Sequence, residues 1–308
     1  MSRPLPPRAG PVPPPAHREG GVWLRLVPGL FVLLWSTGFI GARLGMPHAE
    51  PLTFLALRFA LTAAILGPAA LLARAPWPRH GREILHLAVA GLLMHGVYLG
   101  GVFVAIRLGL EAGLSALIVS LQPLLVAASA PVLLGERVGP STWAGLGLGL
   151  CGVALVLARK LGLSASDAWG ALACLAALAG ITVGTLYQKR FCSGHDLRSG
   201  NFVQFAASAV ACWLLALLFE TRQIAWTGEL VFALLWLVLV LSLGAITLLY
   251  LLLRRGAASR VASLFFLVPP TTALIAWPLF GERLGILELL GMVLTVAGVA
   301  LVNLGRRL

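Results

Sequence analysis

AGLSALIVSLQPLLVAASAPVLLGERVGPSTWAGLGLGLCGVALV, residues 112–156, is answered 146 residues later by ASRVASLFFLVPPTTALIAWPLFGERLGILELLGMVLTVAGVALV, residues 258–302. Without a gap, 18 of these 45 positions are identical. They include Pro123 and Pro269, Gly145 and Gly291, the triplets Gly135-Glu136-Arg137 and Gly281-Glu282-Arg283, and the closing runs Gly152–Val156 and Gly298–Val302. Similarity at a fixed period marks a duplicated structural unit. The same offset pairs Ser36 with Thr182, Gly38 with Gly184, Arg43 with Lys189, Phe59 with Phe205 and Ala63 with Ala209, well outside the best-matched stretch.

Composition says what kind of unit is duplicated. Apolar residues make up 59% of the chain and charged residues 11%, against roughly 45–50% and 25% in a soluble domain. The mean hydropathy is +0.94. Too few charges are present to cover the surface of a soluble core of this length. Ten apolar runs of about 20 residues, each long enough to cross a bilayer, fall near 24–44, 52–73, 84–106, 112–134, 141–158, 168–188, 202–219, 230–253, 258–280 and 286–304. The expected fold is therefore all-α and integral to the membrane, with ten transmembrane helices. Five belong to a first repeat, residues 23–160, and five to a second, residues 166–305. Residues 1–22 carry seven prolines and are expected to form a disordered, solvated cytoplasmic tail. That tail has no apolar core of the signal-peptide kind, so cleavage is not expected.

The formal charge of +12 invites a nucleic-acid reading, but the basic residues are distributed by topology. With the N-terminus in the cytoplasm and sides alternating, 16 Lys and Arg fall in inner loops and tails and seven elsewhere. This is the positive-inside bias, and it places both termini in the cytoplasm. Five spans per copy is an odd number, so the second copy enters the membrane upside down. Glu136-Arg137 then lies at the inner face and Glu282-Arg283 at the outer. Inverted repeats of this kind suit alternating access at a midplane site; a duplicated channel fits the symmetry too.

A substrate site is best sought where helix breakers recur at matching positions in the two halves. Pro123 lies within the fourth run and Pro269-Pro270 within the ninth. A proline removes one N–H and displaces the carbonyl four residues earlier, here those of Val119 and Phe265. The functional reading makes these bends gating points beside a central cavity; the alternative is a pair of packing kinks. Polar and aromatic residues within runs supply the candidate lining: Trp35 and Ser36 in the first, Tyr98 in the third, Gln122 in the fourth, Thr182 and Thr185 in the sixth, Thr247 and Tyr250 in the eighth. Such groups cost energy in hydrocarbon and tend to face the bundle interior. Hydroxyls among aromatic faces suit small amphipathic molecules better than ions. Tyr187, beside Lys189-Arg190, fits an interfacial anchor better than a cavity wall.

Ionisable groups at depth are few. Arg58, in the second run, is expected to snorkel to the outer interface, with capping of carbonyls or contact with an anionic substrate as alternatives. His95, in the third run, is the candidate for proton coupling; the plainer reading is a neutral ring bonded to a neighbouring carbonyl. No deep carboxylate suggests a proton relay, and no G-x-x-x-x-G-K-[ST] loop suggests ATP hydrolysis. Facilitated diffusion and proton exchange through His95 both stay open. Cys151, Cys174, Cys192 and Cys212 form neither a CxxC pair nor a ligand set with histidine, so no disulfide, metal or cofactor is expected. Gly145 and Gly149 form a GxxxG pair that serves close packing within a half or a homodimer.

An intramembrane enzyme needs acid, base or metal-ligand sets at depth. Only Asp167 and Asp196 exist, both near run ends. A channel-like or structural subunit is the stronger rival to a carrier.

The two Pro…Gly-Glu-Arg segments, the Trp35-Ser36 start and the Phe54…Arg58 spacing resemble the EamA-type family of the drug/metabolite transporter superfamily. The resemblance covers roughly residues 24–305. It implies ten spans in two inverted halves, a cavity to which spans one, three, four, six, eight and nine contribute, and movement of small metabolites such as amino acids or amphipathic compounds, often outward, across the bacterial inner membrane. Gly180-Ile181-Thr182 departs from the Trp-Ala-type pair of many members, so no particular substrate carries over.

Overall fold

The computed structural model describes residues 22–110, 112–135, 138–157, 168–280 and 286–304. These residues are helical almost throughout. Where helical segments run on end to end they are counted here as one helix, which gives ten among the described residues: α1 (Val22–Gly45), α2 (Pro51–Leu72), α3 (Gly81–Arg107), α4 (112–134), α5 (Pro140–Leu157), α6 (168–192), α7 (Leu197–Phe219), α8 (Gly228–Arg255), α9 (258–280) and α10 (Ile286–Leu304). Seven of them, α1–α3 and α6–α9, are long and apolar enough to cross a membrane. Shorter apolar stretches, Gln122–Leu134 and Leu289–Val302, lie in α4 and α10. The chain is an all-helical, multi-pass membrane protein. Large apolar side chains such as Leu72, Val132 and Phe219 point outward at 86%, 84% and 75% exposure, which water would penalise and lipid does not.

Departures from α-geometry recur with the repeat. π-Turns occupy Leu92–Val97 in α3 and Leu237–Ala245 in α8, which the 146-residue offset superimposes. Helix α4 breaks at Ser120–Leu121, just before Pro123. Its counterpart α9 tightens to a 3-10 turn at Leu264–Leu267, just before Pro269-Pro270. Each proline lacks the N–H that would continue the α-ladder, and the backbone changes pitch where that bond is missing. Gly135 ends α4 in the left-handed region at φ 66°, its N–H bonded to Ala130 O, a capping geometry that costs a Cβ-bearing residue more. The Glu136-Arg137 and Gly281-Glu282-Arg283 turns lie outside the described residues.

Two repeat-related pairs, α5 with α10 and α2 with α7, pack antiparallel. A Cβ placed on Gly145 of α5 would lie 2.6 Å from both Gly298 O and the Val302 side chain of α10, while Gly149, one turn on, abuts Gly298. Moving forward along α5 thus moves back along α10. In α2 and α7, Thr53 meets Glu220 and Gly67 meets Phe202, the same reversal. At the middle of this pair the repeat-related rings of Phe59 and Phe205 touch, centroids 5.8 Å apart.

Loops of the two halves meet at both ends of the bundle. At one end, here the first face, residues 46–50 join residues 220–229. Ala225 N donates to His48 O at 2.8 Å, Glu220 accepts from the N–H groups of Leu52 and Thr53 at 2.7 Å each, and His48 pairs with Glu229 at 3.1 Å. At the second face, Ser199 Oγ donates to Pro76 O at 2.6 Å and His195 lies 4.0 Å from Glu83. Glu83 and Glu229 are repeat-related, so one inter-half His–Glu contact sits at each end. At the second face Asp196 caps α7, accepting from Arg198 N at 2.9 Å and from its guanidinium at 3.0–3.1 Å. The bonded guanidinium of Arg198 holds the Asp196 carboxyl below the usual carboxylate range.

Candidate functional site

Helices α1, α2, α3 and α8 line a cavity. Its aromatic wall comes from two helices: Trp35 and Phe39 lie one turn apart on α1, and α3 adds Tyr98 and Phe103. The Trp35 and Tyr98 rings stack at 10° with centroids 6.3 Å apart, and Phe265 of α9 meets Trp35 edge-on at 5.1 Å. A second, smaller cavity shares Trp35, Phe39 and Tyr98 and continues to Val119 and Ser120 of α4 and Phe265, Val268 and Pro269 of α9. This second cavity touches the α4 break and the α9 3-10 turn. Along α1 and α3 the lining runs from the middle toward the first face, and α8 contributes Leu241 and Ile246 from its middle.

The charged member of the wall is Arg58, 3% exposed. Its Nε donates to Ser242 Oγ at 3.0 Å. Among the described residues no carboxylate stands at ion-pair distance from it. The expectation that Arg58 snorkels to an interface is thus corrected: the side chain turns inward because the hydroxyl of Ser242 and the cavity lie on its side of α2. His95 departs from its plainer reading as well. Neither ring nitrogen has a hydrogen-bond partner among the described residues. The imidazole stacks on Phe205 at 4.2 Å and 12°, with Phe59 at 5.8 Å, so it sits beside the contact of the two halves and outside the cavity wall.

The other candidate residues separate into two groups. Ser36 lies behind the wall, donating to Val32 O at 2.7 Å and reaching Val268 O at 3.4 Å, which ties α1 to the bend of α9. Gln122 donates to Thr185 at 3.2 Å and leaves its Oε1 without a partner among the described residues. Thr182 bonds back to Leu178 O at 2.6 Å. Thr247 is half-buried and does not line the cavity. Tyr250 is far from Trp35, toward the second face, where its hydroxyl donates to Gln204 Oε1 at 2.7 Å and Gln204 Nε2 donates to Gln188 Oε1 at 3.0 Å. Pro123, Pro269 and Pro270 are buried. Helix α6, expected to contribute, supplies no residue to either wall, whereas α2 supplies Arg58. Ser242, Phe39, Phe103 and Phe265 were not distinguishable by sequence, because nothing local separates a wall phenylalanine from a core one.

The sequence pattern of the EamA-like transporter family matches residues 26–158 and again residues 168–304. The chain belongs to the EamA-like transporter family. As a member it is a transporter, not an enzyme. An inner membrane transporter of Escherichia coli K12, YedA, is 28% identical over 289 residues, covering 92% of each chain. A second Escherichia coli protein, named as an amino-acid metabolite efflux pump, is 27% identical and covers 94% of this EamA-like chain and 96% of its own. A protein of Streptantibioticus cattleyicolor named as a terminal-alkyne amino-acid exporter is 28% identical, covering 90% and 93%. One solved crystal structure superimposes with a TM-score of 0.77 at 25% identity, over 92% of this chain and 96% of that one.

Proposed function

We propose that this EamA-like transporter is a secondary carrier of the bacterial inner membrane that exports small metabolites, amino-acid-like or amphipathic, by alternating access between two inverted five-helix halves. In this reading all ten helices cross the bilayer, both termini are cytoplasmic, and the first face is the outer one. The antiparallel packing of α2 on α7 and of α5 on α10 supports inversion, because a two-fold axis lying in the membrane plane reverses every helix it relates.

One observation carries the reading. Ala42 and Arg58, themselves buried, line a cavity on the first-face side, whereas their repeat counterparts, Gln188 and Gln204, pack with Tyr250 in a hydrogen-bonded chain on the second-face side. Equivalent positions thus border a cavity in one half and a filled, hydrogen-bonded layer in the other. Exchanging the two packings closes the Arg58 cavity and opens the Gln188–Gln204–Tyr250 layer, and Pro123 and Pro269-Pro270 mark where α4 and α9 bend to allow it. Trp35 and Tyr98 face the substrate; Ser36, Gln122, Thr182, Thr185 and Thr247 support the helices around it. His95 is the group through which a proton gradient would couple.

Counterflow in proteoliposomes tests the reading. A carrier loaded with unlabelled metabolite accelerates uptake of the labelled compound, and a channel shows no such trans-stimulation. In the same vesicles, single cysteines replacing Arg137 and Arg283 are expected to react from opposite sides. Labelling of both from one side would falsify the inverted arrangement.

A further inference from the structure

Arg58 is an unusual group to find in a lipid-embedded wall. A buried cation is costly unless an anion or several acceptors surround it. Here one neutral hydroxyl, Ser242, accepts from Nε. The rest of the guanidinium belongs to a cavity whose other lining residues are Trp35, Tyr98, Phe39, Phe103 and aliphatic side chains. The guanidinium fork matches a carboxylate in plane and spacing. No lining residue is acidic. An ammonium entering this cavity would lose its water with no carboxylate to meet and a fixed positive charge nearby.

On the carrier reading above, we infer that the cavity takes a monoanionic organic acid with an aromatic or apolar body, its carboxylate on Arg58 and its body against Trp35 and Tyr98, and that it disfavours the zwitterionic form of the same frame. The aromatic faces add stacking without hydrogen-bond demands. The preference differs from what the names of the amino-acid-exporting relatives describe, because a free amino acid brings the ammonium that this wall leaves unmatched.

Three probes of one frame separate the charges: 3-phenylpropanoate, phenylalanine and phenethylamine. With the full chain purified in detergent, 3-phenylpropanoate is expected to bind about tenfold or more tightly than phenylalanine, the cost of stripping water from an ammonium that meets no carboxylate, with phenethylamine weakest. Arg58→Gln removes the preference. Since that variant alters a buried group, Ser242→Asp provides a second arm. It supplies an internal carboxylate beside Arg58 and is expected to abolish 3-phenylpropanoate binding while raising that of phenethylamine. Phenylalanine binding as tightly as 3-phenylpropanoate, no binding of 3-phenylpropanoate, or an anion preference that survives both substitutions overturns the inference. Counterflow is read separately. Anion-selective binding without trans-stimulation defeats the carrier reading and leaves the site; trans-stimulation by phenylalanine but not by 3-phenylpropanoate defeats the site and leaves the carrier.

Discussion

At Gly298 a Cβ would sit 2.6 Å from Gly145 O and 2.6 Å from Gly149 N, both backbone atoms that cannot step aside. Replacement by leucine must push α5 and α10 apart. Gly298→Leu is expected to cost about 1–3 kcal/mol, as overpacking does, read as a lower thermal midpoint in detergent. Gly147→Ala, whose new methyl meets nothing within 4 Å, is expected to be neutral or slightly stabilising. Asp196 carries a different kind of local stability. Its carboxylate caps α7 and its pKa is depressed by the Arg198 contact. A carboxyl with a depressed folded pKa stabilises the fold above its unfolded value, near 3.9, and loses that contribution as the pH falls through the folded value. Asp196→Ala is thus expected to lower stability by about 1 kcal/mol at neutral pH. The difference from wild type should shrink as thermal midpoints are followed from pH 6 down to below pH 4.

Among the elements, α9 is the one whose irregularity is tied to the cavity. Its 3-10 turn, Leu264–Leu267, places Phe265 against Trp35, and Pro269 lines the smaller cavity. Ser36 and Thr272 stitch the bend to α1: Ser36 Oγ reaches Val268 O, and Thr272 Oγ1 donates to Ser36 O at 3.3 Å. Restoring two N–H donors with Pro269→Ala/Pro270→Ala should let α9 close its ladder. The expected outcome is an unchanged or higher thermal midpoint together with counterflow slowed roughly tenfold, the pattern of a hinge made stiff. A fall in stability with no change in transport would mean that the prolines serve packing alone.

In the whole molecule, each end of the bundle holds one inter-half contact between a histidine and a repeat-related glutamate, His48 with Glu229 and His195 with Glu83. If the halves exchange packings, each end must part once per cycle. Cysteine pairs at 48/229 and at 83/195, bridged by a short thiol cross-linker, are each expected to arrest counterflow, with reduction of a cleavable linker restoring it. Transport that continues with both ends bridged would rule out rocking of the halves. The architecture that makes this test meaningful was legible in the chain. The 146-residue echo and the ten apolar runs predict paired five-helix units, and the recurring prolines coincide with the break in α4 and the turn in α9. The cavity was half legible. Trp35 and Tyr98 stood out as large amphipathic rings within apolar runs, and both line it. Tyr250 stood out by the same rule yet lies in the packed layer on the other side.

What the sequence determined by itself was the solvent and the repeat. Hydrocarbon tolerates only helices whose backbone bonds close internally, so twenty-residue apolar runs have one available form, and an offset of 146 residues dictates which helices correspond. What the tertiary structure decided was the direction in which side chains on equivalent helices point and which of them border a cavity. Arg58 and Gln204 hold one repeat position, but Gln204 is shut between Tyr250 and Gln188 while Arg58 faces a cavity. That difference arises from how residues hundreds of positions apart pack across the inter-half contact. A one-dimensional pattern records the spacing of such groups and carries no information about how their side chains pack across the two halves.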